Sequence, residues 1–271
     1  MSAASTDLAL ALLRLDGVGR VTAGRLLRHF PAYETLRACP REQVLLRLKG
    51  TPNAEALVAQ LFDEAAMRPH LDQAEATRTA LAQRQVTALT SHHDHWPAGL
   101  DDLARADRPV VLYAFGTPAA LTGPVVSLFA RPPLEGAAFE TAQALVRRLV
   151  AAGLTVATGA QHGFDVVVAK LAAAANAPAV LVAHAGLARL PKPLRPHASA
   201  AAKAGGVLLS PFAMAHGPFD HDDRERALVQ AALARACVFV APPDGSPEAR
   251  ALAWAVDAGR PVFGIAGEAP L

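Results

Sequence analysis

Only two of the 271 residues are cysteines, and they stand far apart at Cys39 and Cys237. With no metal-ligand spacing around them, they exclude a disulfide framework and a cysteine metal site, and read as reduced core thiols of a cytoplasm. No apolar run approaches the roughly 20 residues that cross a bilayer, and no basic-then-apolar segment opens the chain. The expectation is a soluble, cytoplasmic protein with no membrane partner. Net charge is small: 26 Lys and Arg against 24 Asp and Glu give +2, too little to announce a nucleic-acid binder from the total alone. Standard chemical motifs are missing as well. There is no Gly-x-Gly-x-x-Gly, no Walker lysine motif and no Gly-x-Ser-x-Gly elbow. That argues against a standard dinucleotide oxidoreductase, a P-loop nucleotidase and a serine hydrolase. No nucleophile–base pair stands out, so the sequence assigns no catalytic residue, no metal and no cofactor.

What is present is a globular composition, 52% hydrophobic with 18% charged residues, on a chain long enough for one large domain and a small one. The charge is unevenly placed. Residues 1–50 carry eight Lys and Arg against four Asp and Glu, whereas residues 201–271 carry six against eight. If a polyanion is bound, the basic N-terminal part is the first suspect.

Residues 5–85 read as a helical domain. Leu8, Leu12 and Leu15 fall on one helix face, and Gly17-Val18-Gly19 closes a turn before a second helix. This succession looks like a helix–hairpin–helix (SAM-like) domain. In such motifs backbone amides at Gly17 and Gly19 face a DNA phosphate without reading bases, and Arg20 and Arg25 add counterion-releasing contacts. A hairpin used only for packing is the equal alternative. Further helices are predicted over Arg41–Leu48, Ala54–Glu64 and about Leu71–Arg84.

Residues 86–271 alternate short apolar strands with helices. Strands are predicted at Arg108–Gly116, Val125–Phe129, Leu154–Ala157, Ala179–Ala183, Val207–Ser210, Cys237–Ala241 and Pro261–Ile265. Continuous apolar strands between helices argue for an α/β fold, a doubly wound, mainly parallel Rossmann-like sheet. Ligands in such sheets bind beyond the carboxyl ends of the strands. The stretch from Thr155 to Lys170 is the clearest junction: a strand ends at Thr158, Gly159 and Gly163 bracket a turn, and a helix starts near Asp165. Free amides at that helix start suit phosphate, and Asp165 is expected to cap the helix. His92-His93-Asp94-His95 reads as a polar loop, since adjacent side chains diverge and nothing completes a metal site.

The order of these signals resembles the DNA-processing protein A family, also called Smf. Trp96-Pro97-x-x-Leu100 and Pro109–Gly116 look like its Tyr-Pro-x-x-Leu and Pro-x-x-Leu-Tyr-x-x-Gly. Thr158-Gly159-x-x-x-Gly163-Phe164-Asp165 looks like its Ser-Gly-x-Ala-x-Gly-Ile-Asp, and Gly205-Gly206-Val207-Leu208-Leu209-Ser210 its Gly-Gly-x-x-x-Ser. Asp244-Gly245-Ser246 sits where the family has Ser-Gly-Ser-Leu, and Gly259-Arg260-Pro261-Val262-Phe263 with Gly267 resembles its ending. The departures are equally specific. The family's Gly-Ser-Arg is Phe129-Ala130-Arg131 here, its Ser-Glu is Ser210-Pro211, and its Arg-Asn-Arg survives at best as Arg224-Glu225-Arg226.

The resemblance implies a non-enzymatic recombination mediator of natural transformation that binds single-stranded DNA, loads RecA and forms a homodimer. It places phosphate contacts at Arg131, Gly159, Gly163, Gly245 and Ser246, with His162 replacing a basic family position and able to donate to phosphate when protonated. Arg189, Lys192 and Arg195, in a Pro-rich loop beyond the Ala179–Ala183 strand, read as a positive rim for a nucleic-acid backbone or as charges that merely solubilise the loop. Phe212 and Phe219 are candidates to stack on bases, with core packing as the plainer reading. Two other functions remain open: a nucleotide-binding sensor or nucleoside-monophosphate hydrolase, and a protein-interaction scaffold without a ligand.

Overall fold

In the computed structural model, residues 2–131, 134–161 and 163–265 are described. They form two compact units, Met1–Trp96 with Ala104–Leu112, and Pro97–Leu103 with Tyr113–Leu271. This division differs from a cut at 85/86, because 86–96 and 104–112 stay with the helical unit.

The first unit holds α1 (Ser2–Leu12), α2 (Arg20–His29), α3 (Tyr33–Arg37), α4 (Arg41–Arg47), α5 (Ala54–Phe62), α6 (Glu64–Gln83) and β1 (Val86–Leu89). Between α1 and α2 the chain turns at Gly17, whose φ of +77° is a conformation that side chains with a Cβ rarely take. Leu15 and Val18 are buried beneath that turn. Leu8, Leu12, Leu26, Leu36, Leu48, Leu61 and Met67 have no solvent exposure and form the core. Helix α6 begins seven residues earlier than Leu71, because Asp63 accepts a hydrogen bond from Ala66 N at 3.1 Å and Met67 is drawn into the core. Pro69 lies inside the helix without ending it. An ion pair at 2.7 Å between Arg78 and Asp7 pins α6 to α1, and Thr6 Oγ1 donates to Ala88 O at 3.0 Å to hold β1.

The second unit holds β2 (Leu112–Gly116), β3 (Val125–Ala130), α7 (Gly136–Ala151), β4 (Thr155–Gly159), α8 (Phe164–Ala174), β5 (Ala179–Val182), α9 (Arg195–Lys203), β6 (Val207–Ser210), α10 (Asp222–Leu233), β7 (Ala236–Val240), α11 (Pro247–Asp257) and β8 (Val262–Ile265). These strands lie in the order β2-β6-β5-β4-β3-β7-β8. All pair in parallel except β2, which runs antiparallel to β6. The predicted doubly wound, mainly parallel sheet is therefore present. The predicted strand from Arg108 shortens to Leu112–Gly116.

From β3 the chain winds outward through β4, β5 and β6, then returns to lay β7 on the other side of β3. The topological switch, where such folds bind ligands, is thus between the carboxyl ends of β3 and β7. One face is sealed by α7 and α8, with Leu128, Val146, Val156, Phe164 and Val168 in one buried cluster. Toward the opposite face Ser127 donates to Gln230 O of α10 at 2.7 Å. Period-two alternation puts Phe129 on that same face. There its ring stacks on its strand neighbour Phe239, centroids 4.5 Å apart, and both rings are 2% exposed.

Phe239→Ala would open a cavity beneath the switch point and remove this stack. The expected loss is about 3–5 kcal/mol in urea unfolding, and a loss under about 1 kcal/mol would show that the stack does not anchor the sheet.

Candidate functional site at the switch point

At the carboxyl end of β4, two glycines act for different reasons. A Cβ on Gly159 would lie 2.5 Å from Asp165 Oδ2, so this position needs close approach, whereas Gly163 has φ +81° and directly precedes α8. The expectation that Asp165 caps α8 is corrected. Gly163 occupies the cap position, and Asp165, in the first turn, accepts from Thr158 Oγ1 and from Gln161 N at 3.3 Å. It locks the strand-to-helix turn instead of the helix end. Burial raises the Asp165 carboxyl above its ordinary range, against the opposing pull of Arg226 and of these donors.

Arg226 is the centre of the site. It is 3% exposed on α10, and its Nε and Nη2 donate to Asp223 Oδ1 at 2.8 and 2.7 Å. Nη2 also reaches Glu248 Oε1 at 3.1 Å, and Nη1 donates to Gln230 Oε1 at 2.6 Å. Gln230 in turn donates to Leu128 O at 2.9 Å, and Gln161 Nε2 to Asp223 Oδ1 at 2.7 Å. Burial opposes the Arg226 charge, but Asp223, Asp165 and Glu248 outweigh it and hold its pKa above the ordinary value. In the Arg224-Glu225-Arg226 segment, it is thus the last residue that turns inward. The signal was its spacing: Asp223, Arg226 and Gln230 share one helix face.

Asp222, fully buried at the start of α10, accepts from Phe219 N at 2.8 Å and faces His216 at 2.9 Å. His184, just beyond β5, was not anticipated. Burial lowers its pKa, and among the described residues its buried Nδ1 has no hydrogen-bond partner. Among the described residues Glu248 Oε2 likewise accepts no hydrogen bond, and Arg131 Nε lies 3.5 Å from it as an ionic neighbour.

The expected phosphate contacts fall into several places. Arg131 follows β3 at the switch point, half-exposed, and also lies 3.8 Å from Asp223. Gly245 has φ +72°, and the adjacent Ser246 is buried with its hydroxyl capping α11 at Ala249 N, 3.1 Å away. Arg189 and Arg195 donate through Nε to Ala215 O and Leu190 O at 3.1 and 3.2 Å. Arg189 and the exposed Lys192 stand on short helical turns after β5 and Arg195 opens α9, and none of the three forms an ion pair among the described residues. His162 and Gly267 lie outside the described residues. In the first unit, Arg20 donates to Ala106 O at 3.2 Å and Arg25 to Lys49 O at 2.9 Å, while Gly19 precedes α2 with no side-chain cap. Phe212 is buried and stacks on His216, whereas Phe219 is 57% exposed. His92 bonds Leu27 O, and His93 accepts from His95 N; among the described residues no His, Cys, Asp and Glu group is arranged to hold a metal.

Chemically, the crevice presents two guanidinium groups to the carboxylates of Asp165, Asp223 and Glu248. Three carboxylates thus face two guanidinium groups, and Arg131 is the more exposed of the two arginines.

Together, fold and crevice define a doubly wound Rossmann-like protein with an ionic crevice at a strand switch. The family model for DNA recombination-mediator protein A matches residues 87–270. The chain belongs to that family. No curated protein matches it. Among solved structures, DNA processing protein A from Streptococcus pneumoniae superposes with a TM-score of 0.62 at 16% identity, covering 91% of this chain and 86% of that one. A structure of DNA processing protein A from Helicobacter pylori, concerned with its single-stranded DNA binding mode, gives a TM-score of 0.56 at 20% identity, covering 66% and 80%. No helix among the described residues is long and apolar enough to cross a membrane.

Replacing Arg226 by Met would strand three carboxylates. We expect about 3–5 kcal/mol lower stability near neutral pH. The stranded carboxyls would have raised folded pKa values, so the variant's deficit should shrink as pH falls through those values toward the ordinary carboxylate range. In the wild type, Asp165 itself makes stability fall as pH rises from its unfolded pKa through its raised folded one; Asp165→Asn should remove that slope. Urea midpoints measured from pH 4 upward check both, and a deficit that grows on acidification would refute the assignment.

Proposed function

We propose that this protein is a non-catalytic recombination mediator of the cytoplasm that binds single-stranded DNA across the carboxyl edge of its sheet. The observation that carries this reading is Arg131. It projects half-exposed from the switch point, and its contacts to Asp223 and Glu248, at 3.8 and 3.5 Å, are looser than a hydrogen bond. A phosphate can therefore take its planar fork without breaking a tight pair. Arg189 and Lys192, on turns following β5, and Arg195, at the start of α9, would extend the path, and the first amides of α8, which follow Gly163, suit an anion. The family membership and the single-stranded DNA binding described for the Helicobacter pylori protein support the same reading. In this role the strand would be passed to RecA.

Fluorescence anisotropy with a labelled poly-dT strand tests it. Binding should weaken steeply with salt, and Arg131→Ala should cost about ten-fold, one charge-assisted contact. Absence of binding at low salt would sink the proposal.

A second reading is favoured by one observation: of the buried polar atoms without hydrogen-bond partners among the described residues, Glu248 Oε2 and His184 Nδ1 belong to groups that interact with the Arg226 network. Such atoms suit the hydroxyl groups of a nucleotide or its derivative. A melting-temperature rise with nucleoside monophosphates that disappears in Glu248→Gln would select it over DNA binding.

We also propose a homodimer through β8 and α11. Strand β8 is paired only to β7, and Phe263 and Val256 are each 58% exposed. Sedimentation should show a dimer that dissociates in Phe263→Glu; a wild-type monomer at micromolar concentration would exclude it.

A further inference from the structure

A second concave site lies within the first unit and is independent of the switch-point reading. A cavity of about 340 Å³ opens between α2, the end of α4 and the 105–110 segment. Seven cationic residues line it, Arg20, Arg25, Arg28, Arg47, Lys49, Arg105 and Arg108, and among the described residues no Asp or Glu does.

These cations divide by role. Arg25 Nη1 donates to Lys49 O at 2.9 Å and lies 3.4 Å from both Arg47 O and Thr51 Oγ1, tying the end of α4 to α2. Arg20 holds the 104–108 segment through Ala106 O. By contrast, Arg28, Arg47, Lys49 and Arg105 are exposed and form no ion pair among the described residues. On helix α2, Arg25 and Arg28 stand three apart on one face, an arrangement that repels itself. The repulsion registers on a neighbour: burial first, then the charges of Arg47 and Arg28, hold the His29 imidazole below its ordinary pKa.

The cavity is not uniformly polar. Val21 and Leu46 on its wall are 37% and 71% exposed, and Val110 and Pro109 contribute further apolar surface. A bare phosphate would leave that surface wet and most of the volume unfilled. A ligand carrying both phosphate and a flat, partly apolar body satisfies both halves, and the volume lies within the range of small-ligand sites.

We propose that this cavity binds a nucleotide, its phosphate on Arg28, Arg47, Lys49 and Arg105 and its sugar and base against Val21 and Leu46. The nucleotide is either a unit of a nucleic-acid strand or a free nucleoside polyphosphate. Both share the recognised chemistry.

The test uses the full chain and reads the site locally. His29 is titrated by NMR alone and with saturating poly-dT, ATP or inorganic phosphate. An anion seated among Arg28 and Arg47 must raise the His29 pKa, since it favours the charged imidazole. In parallel, strand and ATP affinities are measured for Arg28→Ala/Arg47→Ala, whose side chains make no hydrogen bond within the fold, with circular dichroism and melting temperature as controls. We expect the His29 pKa to rise and the double variant to lose at least ten-fold in affinity. A rise with poly-dT only assigns a strand, and a rise with ATP only assigns a free nucleotide. An unmoved His29 with unchanged affinities overturns the proposal, whatever Arg131→Ala does. A rise with inorganic phosphate equal to that with ATP overturns the nucleotide assignment. Strand binding lost in Arg131→Ala but kept in the double variant, with His29 unmoved, leaves the switch-point reading standing alone.

Discussion

The second unit depends on one buried charge. Arg226 joins α10 to α11 through Glu248, to the β4–α8 turn through Asp223 and Gln161, and to β3 through Gln230 and Leu128 O. A buried guanidinium is tolerable only when most of its donors are matched, and here carboxylates and an amide match them. The same arrangement explains why Asp165 can stay buried beside Gly159. It also fixes where the crevice begins, because the atoms bonded to Arg226 are engaged within the fold. Arg131 is the one cation of this network left partly free, which is why any anion reading of the crevice turns on it.

The departures from the family pattern take on a physical sense in this frame. Phe129, in place of a glycine at the strand end, does not crowd the crevice; it turns beneath the sheet and stacks on Phe239. What it removes is a place for a ligand to touch backbone, and what it adds is apolar packing under the switch point. Ser246 remains, but its hydroxyl caps α11. The crevice is lined by ionic side chains at this strand end.

The uneven placement of charge was partly visible as numbers. The excess of Lys and Arg in residues 1–50 pointed to the N-terminal part, yet the residues first singled out there, Arg20 and Arg25, have guanidinium bonds to backbone carbonyls. Arg28, Arg47, Lys49 and Arg105, which remain unpaired, come from three segments that only folding brings around one cavity.

The sequence by itself determined the doubly wound fold, because apolar strands and amphipathic helices are local patterns with fixed periods. It also marked Gly159 and Gly163, since a turn that needs close approach or positive φ admits little else. It misplaced the start of α6, where core packing of Met67 and a cap from Asp63 carry the helix through Pro69. It could not reveal that Arg226 faces inward while Arg131 faces out. Those two arginines read alike along the chain, and their fates are set by partners such as Glu248, 22 residues beyond Arg226, and by Asp223 and Gln161, 62 residues apart. Pairing of that kind is decided by which strand ends the topology makes neighbours, and therefore only by the tertiary structure.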